Sequence, residues 1–220
     1  MNNTEALVKL LLEAVNSSPA AAKISTDDIG EGDGIPVGVS NRHIHISQDD
    51  LDTLFGKGYQ LTKIKDLKQP GQYACKEHVI IAGPRSAIEK VRILGPVRSK
   101  TQVEVLSSDC RKLGIPAVVR QSGDLAGAPG LTLVGPKGSV YAEESAVVAL
   151  RHIHMTPADA ERFGVKDGQV VKIKFGGQRG GIYDKVVCRV SSSAALECHL
   201  DVEEANAMCV DGSSKFTIVK

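Results

Sequence analysis

Tryptophan is absent from the 220 residues, and Phe, Trp and Tyr together make up 4 %. A stacking platform for nucleic-acid bases is hard to build from so little. Neither sign of charge prevails: 27 Lys and Arg against 26 Asp and Glu leave a formal net charge of +1. That balance gives no bulk steering toward a polyanion, and it argues against a nucleic-acid reader. No apolar run reaches the roughly 18 residues that a membrane helix needs. The five cysteines, Cys75, Cys110, Cys188, Cys198 and Cys209, are an odd number without CxxC spacing. This argues against a disulfide framework and against a Cys-rich zinc knuckle, and predicts reduced thiols. The opening segment lacks a basic start and a cleavage site, so it does not read as a secretory signal. Phosphate loops of the GxxxxGK[ST] kind, a dinucleotide fingerprint after a strand, GxSxG and HExxH are all missing.

What is present is a globular composition, with 42 % hydrophobic and 24 % charged residues. The length suits one large domain or two small ones. Leu7, Val8, Leu11, Leu12 and Val15 recur at helical spacing. They predict an amphipathic helix, either packed on the body or serving as a docking peptide. Ser25–Gly34 follows as an Asp- and Gly-rich linker or surface excursion. From Ile35 onward, short β-rich runs alternate with turn signals such as Gly83-Pro84, Gly95-Pro96 and Gly135-Pro136. Strands are expected at Ile35–Val39, Gln60–Ile64, His78–Ala82, Val91–Leu94, Thr101–Leu106, Ala117–Val119, Leu131–Val134, Ser139–Tyr141, Val147–His154, Gln169–Phe175, Asp184–Val190 and Phe216–Val219. Spacings near ten residues favour a barrel or sandwich over an open α/β sheet. Short helices are expected to start at Ser47 and Thr156, each a capping residue before an acidic stretch.

One stretch occurs twice. Arg42-His43-Ile44-His45 leads through Ser47 and Asp50 to Phe55-Gly56; Arg151-His152-Ile153-His154 leads through Thr156 and Asp159 to Phe163-Gly164. The repeat predicts two strand-to-helix elements in pseudo-symmetric positions. The fold expected is mainly β: two small β-barrel domains capped by short helices and related by internal duplication. Residues 1–34 would be the leading helix and loop, 35–46 plus 140–220 a discontinuous first barrel, and 47–139 the second barrel.

Four of the six histidines sit in the two His-x-His pairs. In a strand, residues i and i+2 share a face about 6–7 Å apart, so both imidazoles can turn toward one ion. Ile44 and Ile153 would then face the core. Glu104, alternating with Val103 and Val105, and His199 are candidates for further ligands, while His78 reads as structural. Arg98, Arg120 and Arg189 offer guanidinium forks to phosphate or carboxylate.

With these motifs in hand, the chain resembles the phosphate propanoyltransferases, metal-dependent phosphotransacylases associated with bacterial microcompartments. The residues that carry the likeness are Gly38–Ser47, Gly95–Arg98, Thr101–Val105 and Arg151–Met155. The resemblance implies two β-barrels with a two-zinc site at their junction. His43, His45 and Glu104 would hold one ion, and His152, His154 and His199 the other. Arg98 would bind phosphate with Arg189 as its helper, and Ser122 lies in the same stretch of anion-binding candidates. The implied reaction is acyl-CoA, propanoyl or acetyl, plus phosphate giving acyl phosphate plus CoA, by direct transfer in a ternary complex. Cys110 and Ser122 have no evident neighbouring base that would make either a nucleophile. A homodimer is implied, in a bacterial cytoplasm or inside a microcompartment, with the leading helix as a candidate shell address. Two other functions stay open on the residues alone: a zinc-dependent thioester or phosphoester hydrolase, and a non-catalytic metal-binding β-barrel module.

Overall fold

The computed structural model describes residues 34–219. The expected leading helix lies outside them. The chain is mainly β, with fifteen strands and four short helices among the described residues. No described helix is long and apolar enough to cross a membrane.

The first strand, β1 (Ile35–Ser40), is followed at once by β2 (His43–Ser47), but the two enter different sheets. β1 joins the strands of the C-terminal part: β11 (His152–Met155), β12 (Val170–Phe175), β13 (Gly181–Val190), β14 (Glu197–Asp201) and β15 (Lys215–Val219). Together they close a six-stranded barrel in the order β1-β14-β11-β13-β12-β15. Alternation fills its interior, with Ile35, Val37, Ile153, Ile173 and Phe216 fully or nearly fully buried.

β2 belongs to the second sheet. Its partners are β3 (Lys63–Asp66), β4 (Tyr73–Ala82), β5 (Ala87–Arg98), β6 (Gln102–Glu104), β7 (Val119–Arg120), β8 (Leu131–Val134), β9 (Ser139–Ala142) and β10 (Ala146–Ala149). The order is β7-β10-β6-β2-β5-β4-β8-β9, with β3 on β4. This nine-stranded sheet is open rather than the closed second barrel expected, because β7 and β9 at its ends do not pair. The chain leaves one sheet for the other between Ser40 and His43, and again between Ala149 and His152. The boundaries at 46 and 140 therefore place β2, β9 and β10 on the wrong side. For the same reason the expected strand Val147–His154 is two strands, broken at Leu150-Arg151 where the chain crosses over.

Both expected helices form. α1 (Gln48–Phe55) is capped by the Ser47 hydroxyl, which accepts from the Asp50 amide. α3 (Pro157–Phe163) begins with a Thr156/Asp159 capping box and ends at Gly164, which takes the left-handed conformation at φ 65°. α2 (Ser107–Leu113) and α4 (Val202–Met208) were not expected. They are short, and burial on tertiary contacts, of Asp109, Cys110 and Leu113 in α2 and of Ala205 in α4, holds them more than periodicity does.

The two sheets repeat one pairing scheme. Each His-x-His strand lies antiparallel to one neighbour and parallel to another: β2 between β6 and β5, and β11 between β14 and β13. His43 stands opposite Glu104, and His152 opposite His199. A helix follows each of β2, β6, β11 and β14. The arginine before each motif ties down the later helix of its half: Arg42 Nε donates to Asp109 Oδ2, and Arg151 Nε to Glu204 Oε1, both at 2.7 Å.

Candidate metal and anion site

Period-2 alternation turns Ile44 and Ile153 into the two cores, each at 0 % exposure, and leaves the flanking histidines on the opposite face. Those faces look into one cavity of about 680 Å³ between the sheets. His43, His45, Glu104, His152, His154, His199, Arg98, Arg189 and Ser122 all line it. Arg120 does not: it pairs with Asp124 at 3.1 Å.

The six candidate ligands form two clusters. In each, one ligand atom per residue lies within 4.8 Å of the others. In the barrel the imidazole centroids stand 4.7–5.0 Å apart, and in the sheet His43 and His45 are 5.1 Å apart.

The hydrogen bonds show that these groups suit a cation. His43 Nδ1 lies 2.8 Å from the Asn41 carbonyl, and His152 Nδ1 2.8 Å from the Leu150 carbonyl. A carbonyl only accepts, so each ring carries its proton on Nδ1 and offers a lone pair at Nε2. Outer partners of this kind orient metal-binding imidazoles. His152 Nε2 and His154 Nε2 are 3.1 Å apart, and His43 Nε2 and Glu104 Oε2 3.4 Å. Two donor atoms about 2.0–2.1 Å from a common tetrahedral ion stand about 3.3 Å from each other. The Nδ1 of His45 is the one buried side-chain polar atom left without a partner among the described residues. Three histidines, or two and a carboxylate, make a donor set that suits zinc and related borderline ions.

Burial disfavours the charged form of three of the imidazoles, His45, His152 and His154. It pushes His45 down to about 3, helped by His43 and Arg98. It pushes His152 down to about 4 and His154 to about 3, with neighbouring histidines adding to the effect. Burial alone would raise the Glu104 carboxyl, but His43, His45 and His152 together hold it below the usual range. Glu104 of the sheet thus feels a histidine of the barrel, so the clusters face each other across the cavity.

Arg98, at the end of β5, and Arg189, in β13, reach the same cavity from opposite sheets. Neither makes an ion pair among the described residues. Arg98 Nη1 has a long contact of 3.5 Å to the Ser122 hydroxyl. Burial and the nearby Arg189 lower the Arg98 guanidinium from its ordinary value, with Glu104 opposing them. Two guanidinium groups without an ion pair, on the wall of one cavity, are candidates for holding an anion.

The phosphate propanoyltransferase family model matches residues 36–211. The chain is 53 % identical over 188 residues to the phosphate propanoyltransferase of Thermotoga maritima, covering 85 % of this chain and 90 % of that one. It is 46 % identical over 219 residues to that of Rhodopseudomonas palustris, covering 98 % and 96 %. The Listeria monocytogenes protein is 52 % identical over 174 residues, covering 79 % and 82 %.

The chain belongs to the phosphate propanoyltransferase family.

For this family member, a cysteine nucleophile finds no support in the site. Cys110 is 2 % exposed in α2, does not line the cavity, and burial pushes its thiol up to about 11. Two polar residues passed over in the sequence do reach the site. Glu197 lines the cavity 2.7 Å from His199, and Gln102 bonds Glu104 and Ser122 from behind. Each lies two residues before a candidate ligand on the same strand, and that period-2 offset was the available signal.

Proposed function

We propose that this protein interconverts acyl-CoA plus phosphate with acyl phosphate plus CoA. The observation that carries the reading is one cavity holding two facing ligand clusters beside two arginines that lack carboxylate partners. Family membership supports the same chemistry.

His43, His45 and Glu104 would hold one zinc ion, and His152, His154 and His199 the other. Bound there, the ions supply stabilisation of the CoA thiolate and of charge growing on the acyl oxygen. Arg98 and Arg189 clamp phosphate from the two sheets, and Ser122 adds a hydroxyl beside Arg98. A phosphate oxygen attacks the thioester carbonyl, the carbon–sulfur bond breaks, and CoA leaves as thiolate. No acyl-enzyme forms, so phosphate and thioester occupy the cavity together. Lys65 and Arg92 on its wall suit the phosphates of the CoA nucleotide.

Four further parts of the proposal rest on the family resemblance: propanoyl or acetyl as the acyl group, a homodimer, a bacterial cytoplasmic or microcompartment location, and the segment before residue 34 as the shell address. The barrel strands and the sheet strands, each with its own buried cluster, are read as two domains arising from duplication.

The test is thioester formation from purified protein, CoA and propanoyl or acetyl phosphate, followed in the ultraviolet. The expected signal requires metal. Arg98→Ala should lower kcat/KM about 10²–10³-fold, chiefly through phosphate or acyl phosphate. Hydrolysis of acyl-CoA without phosphate would establish a hydrolase instead. Folded, metal-loaded protein with neither activity would establish a binding module.

A further inference from the structure

Gln102 and Glu197 occupy the same place in the two halves of the fold. Each precedes the third candidate ligand of its half by two residues: Gln102 before Glu104, and Glu197 before His199. Each stands opposite the second histidine of its motif, Gln102 across from His45 and Glu197 across from His154. Both are buried, at 2 % and 7 % exposure. A buried polar side chain needs its partners, and a buried charge needs them more.

Each makes a 2.7 Å hydrogen bond to its ligand, and the polarity is reversed in step. Gln102 Nε2 donates to Glu104 Oε1; His199 Nε2 donates to Glu197 Oε2. Where the ligand accepts, the companion donates, and where the ligand donates, the companion accepts. Each companion is also tied to a distant loop. Gln102 Nε2 donates to Ser122 Oγ, and Gln102 Oε1 accepts from the Gly123 amide, both at 2.8 Å. Glu197 is met by Gln69 Nε2 and Lys68 Nζ, each at 3.4 Å, while Gln69 Nε2 also donates to the Ala195 carbonyl at 2.9 Å. Gln69 belongs to the turn between β3 and β4, so this tie crosses from sheet to barrel. Beneath the Glu197–His199 pair lies Gly38, where an added Cβ would fall 2.7 Å from Glu197 and 2.9 Å from His199.

We infer that Gln102 and Glu197 are equivalent positioning residues, one for each ligand cluster. Each fixes the orientation of its third ligand and anchors a loop at the cavity rim. With its Nε2 proton given to Glu197, His199 presents Nδ1 as its free lone pair. The inference rests on the reading of the clusters as metal sites.

The experiment measures zinc per chain and chelator competition in wild type, Glu197→Leu, Glu197→Gln and Gln102→Leu, with apo fold checked by circular dichroism. Wild type is expected to bind two ions. Glu197→Leu should weaken one of them 10–100-fold and leave the other unchanged. Gln102→Leu should weaken one to a similar degree, and the double variant should weaken both. Glu197→Gln keeps an acceptor for His199 and should retain loading. The ¹⁵N spectrum of His199 should report a proton on Nε2 in wild type and Glu197→Gln, a readout that stands even if the Leu variants do not fold. Equal chelator competition in wild type and folded Leu variants overturns the inference while the metal reading survives. So does a loss in Glu197→Gln as large as in Glu197→Leu, since that marks a ligand and not a holder. A proton found on Nδ1 of His199 overturns it as well. Wild type that binds no divalent metal removes the underlying reading too.

Discussion

The barrel cluster is three histidines, whereas the sheet cluster is two histidines and a carboxylate. The backbone frame is nearly the same in both: the same antiparallel register opposite the first histidine, and the same upstream companion. The difference is charge. A dication held by three imidazoles would keep its full charge, while Glu104 would cancel part of it in the other half. A repeated frame therefore yields two electrostatically distinct places in one cavity, which suits two substrates that differ in softness. The supports differ as well. Gly38 stands beside His199 in β1, and Val147 stands beside Glu104 in the corresponding strand β10. The closed barrel presses Glu197 and His199 onto β1 so closely that a side chain has no room there. The open sheet tolerates a valine.

Removing ligands should test that contrast most strongly. His152→Ala and His43→Ala should each abolish transfer and lower bound zinc from two ions per chain to one, measured by elemental analysis. Equal loss of both ions in either variant would show the clusters to be one cooperative site. A smaller effect is expected from Gly38→Ala, which should weaken zinc about 10–100-fold at the barrel cluster alone. Its counterpart Val147→Ala should leave both ions bound and cost about 2 kcal/mol of stability, as a core truncation does; chelator titration and thermal melting separate the two. The smallest effect concerns acid. His45, His152 and His154 have folded-state pKa values of about 3, 4 and 3. The unfolded chain therefore binds protons that the folded one refuses, once pH falls below the ordinary value of about 6.5. Metal-free protein should lose stability from about pH 7 down to pH 4. Two of the three groups are in the barrel, so hydrogen exchange should rise earlier in β11 than in β2. The reverse order would sink this reading.

The shared face of each histidine pair in the candidate site was legible because strand alternation is a local rule. His43 and His45 share a face wherever the strand lies, and the repeat told that the pattern was used twice. Glu104, His199, Arg98 and Arg189 were candidates on the residues alone, and family resemblance assigned their roles, because they are far apart in sequence: Glu104 is in β6, Arg189 in β13 and His199 in β14. The sheet boundaries were not legible. Nothing in Val147–His154 marks a change of sheet, because both pieces are equally β-forming and only pairing partners separate them. α4 carried a signal that went unused, the Asp201/Glu204 capping box. Gln102 escaped because a polar residue on a strand reads as solvated surface until the other sheet is known to cover it, and Glu197 because no strand was expected over Glu197–Asp201.

The barrel is completed by its two extremes, β1 pairing with β14 and β15. During synthesis, every strand of the open sheet has been made by Ala149, when the barrel has only β1. Domains form as units while the chain grows, and long-range strand pairing comes late. β1 must therefore wait, unpaired, through most of translation. The first ligand cluster can be in place well before the second, but the chamber between them exists only when the final strands arrive, so an interrupted chain carries one cluster and no chamber.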